Sequence, residues 1–202
     1  MKKPFIVIIS LMILLTSCKP LNISRLKQTK NNTQHITKTM NKYTSNFFGE
    51  IDLSSDKKYH YSELNYKNRE ISIDLNIYIE NKPNTEQLSK IDDFLHNLPS
   101  HEEELRKFIK SNFNNNGISK EYIEYHTEEF DDEELTPLIS MSNKEISIEE
   151  QLLSNIYISR IGFYPNDNRY IVLDFYVNDE ISDQILVLIV VNDMSYSITW
   201  ES

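Results

Sequence analysis

Glycine is scarce in this chain of 202 residues, which contains only Gly49, Gly117 and Gly162. A loop that cradles phosphate groups needs several closely spaced glycines, and none can be drawn here. The Gly-x-Ser-x-Gly turn that presents the nucleophile of α/β-hydrolases is missing for the same reason. The shortage of glycine therefore excludes the usual phosphate-binding loops and the α/β-hydrolase fold.

Cysteine is limited to Cys18, which follows a segment with the features of an export signal. Lys2 and Lys3 precede a mainly apolar stretch at residues 5–15, and this order is typical of a secretory signal peptide. A transmembrane helix needs about 20 apolar residues, so a permanent membrane span is the weaker interpretation. We expect the signal peptide to comprise residues 1–17 and to be cleaved.

The residues Leu15, Thr16, Ser17 and Cys18 resemble a bacterial lipobox. The resemblance implies cleavage before Cys18 and a diacylglycerol attached to its sulfur through a thioether bond. The alternative is a chance cysteine in an ordinary secretory signal. Two or more acyl chains anchor a protein durably, which predicts a lipoprotein held at the cell membrane or the outer membrane, outside the cytoplasm. An acylated Cys18 leaves no thiol for a disulfide, a metal site or a cysteine nucleophile.

Acidic residues are missing from the chain before Glu50. Residues 19–46 contain six basic side chains and are rich in Asn, Thr and Ser, so they predict a disordered basic tether. An AT-rich genome would explain the same composition. Residues 47–202 contain 13 basic and all 31 acidic side chains, a formal charge of −18. We therefore place a single acidic domain at residues 47–202.

The negative charge of this domain restricts its partners. Nucleic acid is excluded because its phosphates would be repelled. A basic protein is the favoured partner, although an acidic surface also serves solubility alone. The sequence does not decide between these two roles, and it leaves the oligomeric state open.

Strand-like segments lie on both sides of a helical middle. Apolar and polar residues alternate over residues 70–79 and 170–177, and residues 185–191 form the continuous apolar run of a central strand. Shorter strand-like segments lie at residues 47–53, 59–65, 156–164 and 196–200. Turn residues between the later strands predict antiparallel neighbours.

The middle of the chain has apolar residues at helical spacing, with a short helical piece at residues 135–139. Strands, then helices, then strands predict an α+β fold, a mostly antiparallel sheet with a central run of helices packed on one face. Polar pairs three residues apart predict the helix starts. The predicted cap pairs are Asn84 with Gln87, Ser100 with Glu103 and Ser147 with Glu150, and Ser119 alone is expected to cap a third helix.

Five segments of the domain resemble a bacterial family catalogued as domain of unknown function 2004. The resemblance runs from about Phe47 to the end of the chain and supports the domain boundary. The family has no assigned activity. Many of its members are plain cytoplasmic proteins, and the predicted lipoprotein signal peptide of this chain differs from them in this respect. The segments are residues 47–51, 69–75, 122–126, 149–153 and 160–165.

A run of six carboxylates could in principle bind Ca²⁺, because carboxylate oxygens are its usual ligands. It lacks the ligand spacing and the central glycine of an EF-hand loop, so we expect a solvated helix junction. The run is also the candidate contact for a cationic partner. Its members are Glu128, Glu129, Asp131, Asp132, Glu133 and Glu134.

Two histidines have acidic neighbours, but neither belongs to a zinc motif such as His-x-x-x-His or His-Glu-x-x-His. We expect His126 to be a half-buried aromatic residue on a helix and His101 to be an exposed residue of a first helical turn. No metal or other cofactor is expected. No catalytic residue can be assigned.

Three tyrosines, Tyr78, Tyr170 and Tyr176, fall opposite the predicted core of their strands. They would form a binding surface or a second face covered by helices. The leading hypothesis is a non-catalytic, membrane-tethered binding module, for example an immunity-type protein that neutralises a basic toxin. The alternatives are an envelope hydrolase whose site is assembled only in three dimensions and a structural envelope component.

Overall fold

A computed structural model describes residues 41–140 and 145–202 of the chain. The predicted signal peptide, Cys18 and residues 19–40 of the predicted tether lie outside the described residues. In chain order the elements are β1 (Lys42–Ser45), β2 (Gly49–Asp52), β3 (Tyr59–Tyr66), β4 (Arg69–Asn76), α1 (Thr85–His96), α2 (Leu98–Asn114), α3 (Ile118–Glu129), α4 (Asp132–Leu135), α5 (Ile148–Asn155), β5 (Tyr157–Phe163), β6 (Arg169–Tyr176), β7 (Ile185–Val191) and β8 (Tyr196–Glu201).

Strands β3 to β8 form a six-stranded sheet in their order along the chain. Short turns join most of these strands, and such neighbours pair antiparallel. Strands β4 and β5 are parallel because the whole helical segment lies between them as a crossover connection. The predicted α+β fold with a mostly antiparallel sheet is confirmed.

The core face of the sheet is continuous across its strands. Ile73 of β4 lies opposite Ile161 of β5, and the same row continues through Leu173 of β6 and Leu188 of β7 to Ile198 of β8. The first four of these side chains are completely buried. Their alternation with residues of the other face explains the period of two in the sequence.

The helices pack on this core face through aromatic contacts. Phe94 of α1 lies edge-on to Phe163 of β5, with ring centroids 5.9 Å apart, and Tyr122 of α3 lies edge-on to Trp200 of β8 at 6.0 Å. The buried hydroxyl of Tyr122 donates to the carbonyl of Gln184 at 3.1 Å. Among the described residues, no helix combines the length and the hydropathy needed to cross a bilayer.

A two-stranded hairpin precedes the sheet, and its first strand lies before the predicted domain start at Phe47. Three donors of this segment bind the buried carboxylate of Asp92 in α1: the hydroxyls of Tyr43 and Ser45 and the amide of Asn46. The folded structure therefore includes residues that we assigned to the tether. The charge break at Phe47 marks where acidic residues become frequent, and a strand of four residues is too short to leave a clear pattern.

Two predicted helix starts agree with the structure. Asn84 and Gln87 form a reciprocal capping box at the start of α1. At the start of α5, the side chain of Ser147 accepts a hydrogen bond from the amide of Glu150. Both are the expected use of polar side chains for amides that have no partner within the helix.

The other two predicted starts are wrong. Helix α2 begins at Leu98, two residues before Ser100, because it follows α1 after a single residue and carries Pro99 in its first turn, where a missing amide hydrogen costs nothing. Ser119 lies inside α3 instead of capping it. Its hydroxyl donates to the carbonyl of Ile109 at 3.0 Å and so joins α3 to α2.

Candidate binding surface on the open face of the sheet

The side of the sheet opposite the helices, here called the open face, carries charged and aromatic side chains. Tyr59 and Tyr61 of β3 are 49% and 52% exposed on this face. Asp74 of β4, Arg160 of β5 and Asp174 of β6 lie there at positions that alternate with buried core residues. The strands therefore bring together charges that are far apart in the sequence.

Arg160 is the centre of this group. Its Nε and Nη2 donate to the two carboxylate oxygens of Asp74 at 2.7 and 3.1 Å, which is a bidentate ion pair. Its Nη1 donates to Oδ2 of Asp174 at 3.1 Å, and Nη2 also donates to the hydroxyl of Tyr164 at 3.0 Å. A Cβ atom at Gly162 would lie 2.6 Å from Nη2, so any other residue at this position would force the guanidinium to move.

The charge of Asp174 is only partly balanced. Burial raises the pKa of its carboxyl above the ordinary value, and the bond to Arg160 offsets only part of this effect because that guanidinium is shared with Asp74. Within the described residues, Oδ1 of Asp174 receives no hydrogen bond. Two carboxylates around one guanidinium leave a net negative charge on the open face.

A depression of about 530 Å³ adjoins Asp174. Tyr157 and Tyr176, which pair across β5 and β6, form part of its wall. The guanidinium of Arg69 lies 3.7 Å from the centre of the Tyr157 ring. The Tyr157 hydroxyl donates to Asp179 at 2.5 Å, and burial together with this bond raises the pKa of Tyr157 to about 12. The depression thus combines aromatic rings with carboxylates, a combination suited to binding cations.

The acidic run of residues 128–134 lies at the junction of α3 and α4. Asp131 caps α4 by accepting hydrogen bonds from the amides of Glu133 and Glu134, and the Glu134 side chain accepts from the amide of Asp131 in return. Helix α4 therefore begins at Asp132, before the helical piece that we predicted at residues 135–139. Glu128 and Glu129 are exposed and carry no structural contact of this kind.

His126 is completely buried, more deeply than predicted. Its Nδ1 lies 2.7 Å from the carbonyl of Tyr122, so this nitrogen carries the hydrogen, and Nε2 accepts from the hydroxyl of Ser182 at 3.0 Å. Burial lowers the pKa of His126, which keeps the ring neutral. A serine beside a histidine is the pairing found in hydrolases, but here the histidine serves as a buried link between α3 and the loop before β7.

His101 is half-buried instead of fully exposed, because its ring stacks on Phe94 with centroids 4.5 Å apart. The pair lines a second depression of about 500 Å³, together with Tyr170 and Met194. This depression lies on the helix side, away from the charges of the open face. Among the described residues, no three His, Cys, Asp or Glu side chains gather into a group that could hold a metal ion.

The three predicted surface tyrosines have different positions. Tyr176 lies on the open face, and Tyr78, beyond the end of β4, is 44% exposed. Tyr170 was placed opposite the core by its alternation with Ile171, but it packs against the core instead. The reason is a register shift between Arg169 and Ile171, which breaks the alternation at this point.

The Arg160 group was missed at the level of the sequence, because Asp74 and Asp174 lie 86 and 14 positions from their shared partner. A signal existed in the strands themselves. Asp74 and Asp174 are each the only charge within an otherwise uncharged stretch of a strand, and a charge there needs a partner on a neighbouring strand.

Comparison with protein-family models, curated proteins and solved structures finds no significant match for this chain. The resemblance to the family called domain of unknown function 2004 thus stays a prediction. Arguments about function rest on the geometry of the domain itself.

Proposed function

We propose that this chain is a lipid-anchored, non-catalytic binding module of the cell envelope that recognises a cationic protein partner. The observation that carries the proposal is the open face, where Asp74 and Asp174 outnumber the charge of Arg160 beside exposed tyrosines. Neutralisation of a basic toxin by an immunity-type protein is one form of this function. The anchor rests on the sequence pattern that ends at Cys18.

The charge of the whole domain supports the same proposal. A formal charge of −18 on residues 47–202 creates a long-range field that accelerates the approach of a basic protein. Tyrosine on the open face offers a large contact area at a low cost in side-chain entropy. Steering by charge and contact by tyrosine together suit a partner with a basic surface.

Two surfaces are candidates for the contact, the open face and the run at residues 128–134. The run uses Asp131 and Glu134 to cap α4, which gives these two carboxylates a structural role. On the open face, by contrast, one carboxylate oxygen of Asp174 receives no hydrogen bond from the part of the chain that the structure describes. We therefore favour the open face as the main contact and propose the run as a second one.

The experiment that tests this function is capture of a partner by the full chain held in lipid nanodiscs, followed by binding kinetics with the purified partner. We expect a basic protein whose association rate falls steeply when salt is raised to about 0.15 M, where the Debye length is about 8 Å. A bound partner without basic surface, or an association rate that does not respond to salt, would contradict the proposal.

Two variants test which of the two surfaces contacts the partner. The first carries Asp174→Asn with Glu63→Gln, since Glu63 is an exposed residue of β3 that accepts a hydrogen bond from Tyr61 on the open face. The second carries Glu128→Gln with Glu129→Gln on the run. Each pair removes two negative charges, and both pairs leave the α4 cap intact. We expect the sheet variant to associate more slowly than the run variant. A larger effect of the run variant would make the run the main contact.

A further inference from the structure

Tyr176 stands among carboxylates at the edge of the 530 Å³ depression. Burial raises the pKa of its hydroxyl, and the nearby charges of Asp174, Asp179 and Asp183 raise it further. The Tyr176 side chain is half-buried, so part of its surface remains open to solvent. An aromatic ring in a field of negative charge is a favourable site for a cation.

The charges around the depression are not balanced. Arg160 forms ion pairs with Asp74 and Asp174, and the guanidinium of Arg69 lies over the ring of Tyr157. The lining also includes Glu70 and Asp179, whose carboxylates have no cation within ion-pair distance among the described residues. With Asp74 included, four carboxylates thus surround the two guanidinium groups of Arg69 and Arg160, and a cationic partner can balance this excess of negative charge.

One arginine of the chain itself already lies on a tyrosine ring of this depression. The guanidinium of Arg69 covers the ring of Tyr157, and Tyr157 is the cross-strand neighbour of Tyr176. The Tyr157 hydroxyl is held by Asp179, so a ring and a carboxylate act together on that side of the depression. Tyr176 presents the same combination of groups without a bound cation from the described residues.

We propose that the depression beside Tyr176 receives one arginine side chain of the partner, stacked on the tyrosine ring and hydrogen-bonded to Asp174. The inference rests on the proposed function and gives it a specific recognition group. Arginine fits better than lysine because its planar guanidinium can stack on a ring while one of its N–H groups donates a hydrogen bond to a carboxylate. Oδ1 of Asp174, which receives no hydrogen bond from the described residues, is the acceptor for this bond.

The test compares two labelled peptides, hexa-arginine and hexa-lysine, by fluorescence anisotropy with the full chain in nanodiscs of zwitterionic lipid. We expect the unaltered chain to bind hexa-arginine about fivefold more tightly than hexa-lysine. Tyr176→Leu keeps every charge and should abolish this preference. Asp174→Asn with Asp179→Asn should weaken hexa-arginine binding about tenfold.

A control variant, Glu104→Gln with Glu121→Gln, removes two exposed charges from the helices and should change binding less than twofold. Thermal unfolding establishes that each variant is folded. If all the variants bind both peptides equally, the subsite is overturned while the proposed function stands. If the unaltered chain binds neither peptide, the subsite is overturned together with the preference for cationic partners.

Discussion

The hydroxyl of Ser45 donates a hydrogen bond of 2.6 Å to the buried carboxylate of Asp92 and thereby joins the first strand to the first helix. Both residues are buried, at 4% and 6% exposure. The same hydroxyl accepts hydrogen bonds from the amides of Phe47 and Phe48, which close the turn between β1 and β2. One serine therefore stabilises the turn and supplies a hydrogen bond to a buried carboxylate.

We expect Ser45→Ala to lower the free energy of unfolding by about 1 to 3 kcal/mol, since a buried carboxylate loses one of its three donors. Urea unfolding of the variant measures this cost. Thr44→Ala, at the exposed neighbouring position, is the control and should change the free energy by less than about 0.5 kcal/mol. Deletion of residues 19–46 should cost more than Ser45→Ala, and equal stability of the shortened chain would show that β1 does not contribute.

Gly162 is a second position where a small change should have a large effect. A methyl group there would meet Nη2 of Arg160 at 2.6 Å and the ring of Tyr164 at 3.0 Å. We expect Gly162→Ala to displace the guanidinium from Asp74 and to cost about 2 to 4 kcal/mol, because a buried carboxylate loses its partner. Urea unfolding measures the loss.

A double-mutant cycle separates this mechanism from a general effect of glycine replacement. In an Arg160→Met background the obstacle is removed, so Gly162→Ala should cost clearly less than in the unaltered chain. The same cost in both backgrounds would mean that the guanidinium is not the group that requires the glycine.

The sequence was sufficient for the fold class because the strands carry a long, regular alternation. Ile71, Ile73 and Leu75 repeat every second residue, so they form one apolar surface of β4 that faces the core. The first residues of the helices were harder to predict from the sequence. Asn84 and Ser147 cap as predicted, but Ser100 and Ser119 lie inside helices. Helix α2 follows α1 after a single residue, with Pro99 in its first turn, and the hydroxyl of Ser119 donates to Ile109 instead of capping α3.

The candidate site was predictable only in part. Tyr176 follows from the alternation of β6, while Tyr170 does not, because a register shift is invisible in a single strand. The pairing of Asp74 with Arg160 depends on the parallel contact between β4 and β5, which is made only after the helices have returned the chain to the sheet. No local pattern contains that information.

The predicted lipid anchor has a direct test. Cys18→Ser removes the sulfur that would carry the diacylglycerol, so we expect loss of lipid labelling and loss of retention in the detergent phase. The fold of the described domain should be unaffected, as judged by circular dichroism. Ser17→Ala preserves the small residue before the cleavage site and is the matched control. Full labelling of the Cys18→Ser variant would contradict the lipoprotein prediction.

Stability should also depend on pH through two buried histidines. Burial lowers the pKa of His126, and burial together with Lys57 lowers the pKa of His60, both below the ordinary value of 6.5. As the pH falls through 6.5, the unfolded chain takes up protons that the folded chain does not bind. The free energy of unfolding should therefore decrease from pH 8 towards pH 5.

Urea unfolding across that range measures the slope, and His126→Gln should reduce it, because the group that protonates only on unfolding is gone. The variant should be less stable than the unaltered chain at pH 8, since the hydrogen bonds to Tyr122 and Ser182 are disturbed. An unchanged slope in His126→Gln would mean that the pKa of His126 is the same in the folded and the unfolded chain, which would contradict the lowering of that pKa by burial.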